Sequence, residues 1–232
     1  MCKFKSALYH REKGLLHDDY TDSHEDLVAF HNLDDNTDLS SFVRVEFYPN
    51  DNDYCDVNKY TLHIDEKSTP IWFDDVKRQD CIDGLTAIIK RAIIKDKKIK
   101  CLLSGFYILC GNTKVGYVKN CRIFCMTDSS VVEVMWGSSV VEVMMDSSVV
   151  KAMWDSSVVK AMRGSSVVKE MWGSSVVEVM MDSSVVKAML DSSVVEVMMD
   201  SSVVKAMRGS SVVKAMWDSS VVKADNRIKN SK

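Results

Sequence analysis

Four histidines, His10, His17, His24 and His31, recur at seven-residue intervals, a spacing that on one continuous helix would set imidazoles on a shared face for a metal ion. Gly14 and the DDYTDS stretch interrupt any such helix, so only His24 and His31 could share a face, with Glu25 or Asp26 nearby. Solvent-exposed or capping histidines are the expectation. The acidic runs Asp18-Asp19, Asp34-Asp35 and Asp51 to Asp53 could hold a cation, yet they lack EF-hand spacing and read as solvated loops. Serines are abundant, but there is no G-x-S-x-G elbow, no Ser-His-Asp arrangement, no P-loop and no dinucleotide fingerprint. The seven cysteines, Cys2, Cys55, Cys81, Cys101, Cys110, Cys121 and Cys125, are odd in number, lack CxxC pairing and lie outside the regular repeats. That pattern favours reduced thiols over a disulfide frame or a structural zinc. These residues imply no enzymatic activity, no cofactor and no metal.

The second half of the chain carries repetition instead. From Asp128 a nine-residue unit, Asp/Gly-Ser-Ser-Val-Val-Lys/Glu-Ala/Val-Met-Xaa, recurs eleven times and ends in the decayed copy DSSVVKADN. Two β-branched residues, two serines and a Gly or Asp at the boundary are strand composition punctuated by turn composition. A continuous helix would rotate by about half a turn per copy and spread Val and Met over every face. The unit shares only its period with calcium-binding nonapeptide rolls, whose paired glycines and following Asp are missing.

Nine residues are too few to close a coil with two sides, whereas two copies give an eighteen-residue coil with like positions stacked about 4.8 Å apart. The ninth positions then separate into a column of Trp136, Trp154, Trp172, Leu190 and Arg208 and a column of Met145, Arg163, Met181, Met199 and Trp217. The sixth positions give Glu133 followed by Lys151, Lys169, Lys187, Lys205 and Lys223 on one side, and Glu142, Lys160, Glu178, Glu196 and Lys214 on the other. Charge alternation in the second column offsets like-charge repulsion between rungs. The predicted fold class is therefore mainly β, a parallel β-solenoid of nine-residue repeats, two per coil, with a small N-terminal α/β domain. The visible repeats alone would make a stack about 26 Å long.

Positions one, six, seven and nine vary between copies and are expected outside. Strand alternation then turns the third-position Ser and fifth-position Val inward, and a bend near positions six and seven returns Met inward. An alternative puts positions five and seven inside and Met outside. Either way an apolar column lies outside beside the ninth-position column, larger than the isolated surface hydrophobe that requires no explanation. The residues expected to carry self-association are Trp136, Trp154, Trp172, Leu190, Met145, Met181, Met199 and Trp217, giving a homo-oligomer, either a dimer or a filament.

Ahead of the repeats, Ser23 with Asp26 resembles a capping box before HEDLVAFHNL, SFVRVEFYP (Ser41 to Pro49) and KYTLHID (Lys59 to Asp65) read as strands, and DCIDGLTAIIKRAIIKD (Asp80 to Asp96) is the strongest helix. The domain reading is an α/β head over 1–100, a transition with degenerate first coils over 101–127, the solenoid over 128–226 and a polar tail over 227–232. KNCRIFCMT fits the repeat frame, with Cys121 at the inward Ser position, Ile123 at the fifth and Met126 at the eighth, so the stack is expected to start near Leu102. Fusion to the head would cap that end. At the other end, DNRIKNSK protects the last edge by charge, Asn content and disorder, or else the exposed rung pairs with a second molecule.

A formal charge of -3, with 46% hydrophobic and 27% charged residues, describes a folded soluble protein without the basic field that nucleic-acid binding needs. No apolar run has the length of a membrane span, and the opening MCKFKSALYHREKG lacks the apolar core of a secretion signal, so the expected compartment is the cytoplasm.

In the segments FVRVEF (Phe42 to Phe47), LHIDE (Leu62 to Glu66) and IWF (Ile71 to Phe73), and throughout the repeats, the chain resembles a group of uncharacterised bacterial and bacteriophage proteins. Their plan is a short α/β head followed by GSSxVxxMW-type nonapeptides. The resemblance implies an architecture and no activity. Two functional expectations follow. One is a non-enzymatic, self-assembling solenoid that displays its head to an unknown protein partner. The other is a phage- or host-associated binding module using the solenoid as a rigid spacer or as a sugar-binding surface, with the Trp column stacking on sugars.

Overall fold

The computed structural model describes residues 4–34 and 41–226, which form two compact units, one over the N-terminal part up to Ala92 and one from Ile93 onward. The first unit is built on an antiparallel sheet of β1 (Lys5–His10), β2 (Gly14–Leu16), β3 (Phe42–Pro49) and β4 (Tyr60–Ile64), in the order β2-β1-β3-β4. Helix α1 spans His24–Phe30, and Ser23 is its N-cap, the side chain accepting from Asp26 N at 3.2 Å. Helix α2 spans Asp75–Ala92 and buries Cys81, Leu85, Ile88, Ile89 and Ala92, the stripe that a 3.6-residue period lays on one side. Phe4, Ala7, Val43, Val45 and Phe47 supply the rest of a core in which Phe4 and Phe47 each pack against Tyr60.

Two readings of this unit are corrected. MCKFKSALYH carried no strand expectation, yet β1 is the fully buried strand between β2 and β3. The helix expected over Asp80 to Asp96 begins at Asp75 and stops at Ala92. Ile93–Lys95 is strand β5, because parallel pairing with β7 (Phe106–Cys110) outweighs a helical pattern that the isolated segment satisfies equally well.

The second unit is the parallel β-solenoid. After β5 and β7 come β6 (Lys98–Leu102), β8 (Lys114–Lys119), β9 (Arg122–Met126), β10 (Val131–Trp136) and β11 (Val140–Met144). Nine five-residue strands complete it: β12 (Val149–Met153), β13 (Val158–Met162), β14 (Val167–Met171), β15 (Val176–Met180), β16 (Val185–Met189), β17 (Val194–Met198), β18 (Val203–Met207), β19 (Val212–Met216) and β20 (Val221–Asp225). Even- and odd-numbered strands form two eight-stranded sheets, so each copy contributes one strand and each coil two. Val132 pairs with Val150 and Val141 with Val159, a register of eighteen residues.

Coiling begins at Ile93, ahead of Leu102, and tightens toward that end. Ile93 pairs with Ile108, Lys98 with Lys114, Val115 with Val132 and Ile123 with Val141, so the step grows from fifteen to sixteen, seventeen and finally eighteen residues. Eight strands per sheet make a stack about 34 Å long. Gly116 in β8 is one accommodation of the tighter coils, since a Cβ there would lie 2.6 Å from the Lys100 carbonyl oxygen.

The inward set is the third-position Ser, fifth-position Val and eighth-position Met. Ser148, Val150 and Met153 are fully buried, as are their equivalents from Ser130 to Val204. This excludes the arrangement with Met outside. Cys121, Ile123 and Met126 occupy the same three columns. Two inward hydroxyls are held at corners of the coil, Ser139 Oγ donating to the Trp136 carbonyl and Thr113 Oγ1 to that of Cys110, each at 2.7 Å.

Position one obeys a rule that composition alone did not reveal. Every occupant has positive φ, from Asp146 at 53° to Gly173 at 67°, a left-handed conformation open at low cost to Gly, Asn and Asp. Where the next coil carries Asp, its carboxylate accepts the backbone N–H of the residue one coil earlier, as Asp182 does from Gly164 at 2.9 Å and Asp191 from Gly173 at 3.1 Å. Gly173→Val combines a β-branched residue at positive φ with a Cβ 3.2 Å from the Asp155 carbonyl oxygen. It is expected to cost about 1–3 kcal/mol, while Gly173→Asn stays close to the parent. Thermal unfolding of the two variants side by side checks this, and equal losses would remove the conformational explanation.

Candidate functional site

The surface of the solenoid is organised by its rungs. Positions six, seven and nine lie outside, and each makes a column because parallel register puts like residues on top of one another. The ninth-position column after the even strands stacks Trp136 on Trp154 with ring centroids 5.9 Å apart and planes inclined by 22°, and Trp154 on Trp172 at 5.5 Å and 12°. Trp136 is 46% and Trp154 40% exposed. Since adjacent indoles cover each other's faces, their edges meet solvent. Trp172 Nε1 donates to Glu170 Oε2 at 3.1 Å, and Leu190 and Arg208 continue the column.

The other ninth-position column holds half-buried Met145, Met181 and Met199, interrupted by exposed Arg163 and ended by Trp217 at 63% exposure. The eight residues expected to act together thus form two separate stripes, one following each sheet. Stacked ring faces are poorly placed to receive a sugar, which needs an open face.

Sixth-position charges pair across rungs as their columns suggested. Lys151 Nζ lies 2.6 Å from Glu133, Lys160 2.8 Å from Glu142 and Lys214 2.7 Å from Glu196. Most of these groups are well exposed, so each pair contributes a few tenths of a kcal/mol. Glu142 is more enclosed and also takes Arg122 Nε at 2.9 Å. Burial alone would raise its pKa, but the Lys160 hydrogen bond and the Arg122 charge outweigh burial and hold it below the usual range. The guanidinium of Arg122 lies over the Phe106 ring, 5.6 Å from its centroid.

In the N-terminal unit the four histidines go to four different places. His10 ends β1, and its Nδ1 accepts from Glu12 N and Lys13 N, closing the hairpin turn. His17 sits beside Asp19 at 3.9 Å, and burial lowers its pKa. His24 opens α1, buried rather than solvent-exposed, with Nδ1 3.2 Å from Asp65 and Nε2 3.2 Å from the Val45 carbonyl oxygen. His31 is the C-cap of the same helix. Among the described residues no group of three or more His, Cys, Asp or Glu side chains could hold a metal ion.

Fully buried Lys5 forms an ion pair with Asp22 at 3.0 Å and donates to the Asp18 carbonyl oxygen, tying the loop before α1 onto β1. Tyr9 donates to Asp80 on α2 at 2.5 Å. Burial and that carboxylate push its hydroxyl up to about 12.

Cys81, Cys101, Cys121 and Cys125 are free thiols. Burial pushes Cys81 up to about 12 and Cys121 to about 11, which makes them poor nucleophiles at neutral pH. Cys55 and Cys110 are each disulfide-bonded, a departure from the expectation of reduced thiols that an odd cysteine count suggested.

Fold and surface together define a parallel β-solenoid protein with a small N-terminal α/β unit. No protein-family model, curated protein or solved structure matches the chain. No helix among the described residues is long and apolar enough to cross a membrane.

Proposed function

We propose that this is a non-enzymatic structural solenoid that associates with further copies of itself through its outer apolar columns and displays its N-terminal unit to a protein partner. The observation that carries the reading is the run of stacked tryptophans, exposed Trp136 and Trp154 and half-buried Trp172, continued by Leu190. Three stacked indoles on one line are an apolar stripe of the kind that marks an interface. Aromatic anchors of this sort dominate association energies. The second stripe, Met145, Met181, Met199 and Trp217, offers adaptable thioethers beside an exposed indole.

Light scattering of the purified chain across a concentration series tests this. Association is expected by high micromolar concentration, and a strict monomer there overturns the proposal. Trp154→Glu sets a carboxylate in the middle of the stack and is expected to weaken association by about 2 kcal/mol or more. Because the indole also stacks on Trp136 and Trp172, the thermal midpoint should fall modestly, and association is compared well below it.

Binding to a glycan array that is lost in Trp154→Ala at unchanged oligomeric state would favour the binding-module reading instead. The proposed compartment is the cytoplasm, where the four free thiols persist, although the disulfide-bonded Cys55 and Cys110 would there have to resist reduction.

A further inference from the structure

The outer side of the even sheet carries three parallel columns in its middle rungs. At the corner leading into each strand stands a first-position residue, Asp182 and Asp200 in successive rungs with Gly164 in the rung before them. The outward fourth position is a half-buried valine, Val185 in register with Val203. The sixth is a lysine, Lys169, Lys187 and Lys205 in turn.

The odd sheet balances its sixth-position charges within itself, Lys160 against Glu142 and Lys214 against Glu196. On the even sheet Lys151 takes Glu133, but no ion pair among the described residues of the solenoid involves Lys169, Lys187 or Lys205. Like charges stacked about 4.8 Å apart repel one another, so this run calls for an anionic partner with the same repeat. The aspartate column of a second copy has that repeat, because the same eighteen-residue coil spaces both columns. Each of these carboxylates engages its own chain through Oδ2, Asp182 accepting from Gly164 N at 2.9 Å and Asp200 being the acceptor for Asp182 N at 3.0 Å. The other oxygen is left for a partner.

We propose that two copies pack even face on even face about a two-fold axis parallel to the solenoid axis, valine on valine, with the lysine column of each against the aspartate column of the other. A two-fold requires one patch to complement itself, and acid, valine and base in that order do so. Strand rise sets the sixth position about 7 Å beyond the fourth and the first no more than about 10 Å before it. A two-fold through the valine column therefore brings opposite charges within reach of a lysine side chain and keeps like columns on opposite sides of the axis. At equal height Lys187 meets Asp182 and Lys205 meets Asp200, whereas Lys169 meets Gly164, which offers no charge. This contact uses a different surface from the ninth-position stripes proposed above.

The test is light scattering of the full chain over one concentration series at low and high salt, as wild type, Lys187→Glu with Lys205→Glu, Asp182→Asn with Asp200→Asn, Lys169→Glu and Trp154→Glu. Position six already takes Glu in other copies, and Asn120 adopts the left-handed backbone at φ 53°, so the fold should survive, with circular dichroism as the check. The double lysine reversal is expected to weaken association about ten-fold at low salt, a difference that fades as salt screens the charges. The aspartate pair should move the same way by less, and Lys169→Glu by less than about two-fold. A double reversal that associates like wild type while Trp154→Glu does not overturns the face-to-face contact and leaves the stripes standing. The opposite pattern upholds the contact and overturns the stripes. A loss on Lys169→Glu equal to that of the double reversal overturns the rung match and with it the two-fold. A strict monomer overturns both, and if it is retained on immobilised heparin until the lysines are reversed, the face belongs to an extended polyanion instead.

Discussion

Met171→Asp is expected to unravel the middle of the solenoid. Met171 is fully buried, stacked in register on Met153 and under Met189, so an aspartate there meets methionine side chains in the rungs on both sides. An uncompensated charge in such a place costs several kcal/mol. That is a large share of the 5–15 kcal/mol by which a typical domain is stable. In a stack where each coil touches only its neighbours, the damage should spread outward from the site. Hydrogen exchange should therefore lose protection first over Val149–Met153 and Val185–Met189, and the urea midpoint should fall sharply. Met171→Leu, close in volume, is expected to cost less than about 1.5 kcal/mol. The adjacent Glu170→Lys, at an outward position, should be nearly silent. A Met171→Asp protein with the parent's midpoint would mean that position eight does not face inward, and the solenoid packing described above would be wrong.

The second large effect is expected at Lys5. Its ammonium is fully buried, and the Asp22 carboxylate that it meets at 3.0 Å is itself nearly enclosed. The pair holds the loop before α1 on β1, helped by the Ser6 N–H that donates to the same carboxylate at 3.3 Å. Lys5→Met keeps the bulk and removes the charge, leaving Asp22 buried beside a thioether, a change of the kind that costs about 3–5 kcal/mol. Replacing both members, as Lys5→Met with Asp22→Leu, should recover a substantial part of that loss, because desolvating the pair is itself unfavourable. A double-mutant cycle by chemical denaturation measures the coupling. Strictly additive losses would show that the two side chains are stabilised by other neighbours and not by each other.

The solenoid was legible because a strict period is a statement about geometry. Trp136, Trp154 and Trp172 recur at eighteen residues, and parallel register turns that interval into a stack of rings 5.5–5.9 Å apart. The cross-rung pairs Glu133 with Lys151 and Glu142 with Lys160 followed from the same interval. The short coils at the start were harder, because Ile93, Lys98 and Gly116 sit in steps of fifteen to seventeen residues that no longer look like copies of the unit. AIIKD satisfies a helix and a strand locally, and only its pairing with Ile108 to Cys110 selects the strand. β1 went unread since a strand buried on both faces does not alternate.

By itself, the sequence determined that one coil equals two copies, which residues form columns, and that Ser-Ser, both valines and Met, at positions two to five and eight, are the near-constant set. Periodicity fixes such relations without any long-range information, because identical copies must solve the same packing problem. Tertiary structure decided what depends on distant neighbours. It put Met rather than position seven inside, revealed left-handed backbone behind the Asp/Gly choice at position one, and closed the indole faces of the Trp column against one another. It also buried His24 and Lys5. Burial and charge acquire a sign only once a side chain has been assigned neighbours across the chain, and no local pattern supplies those.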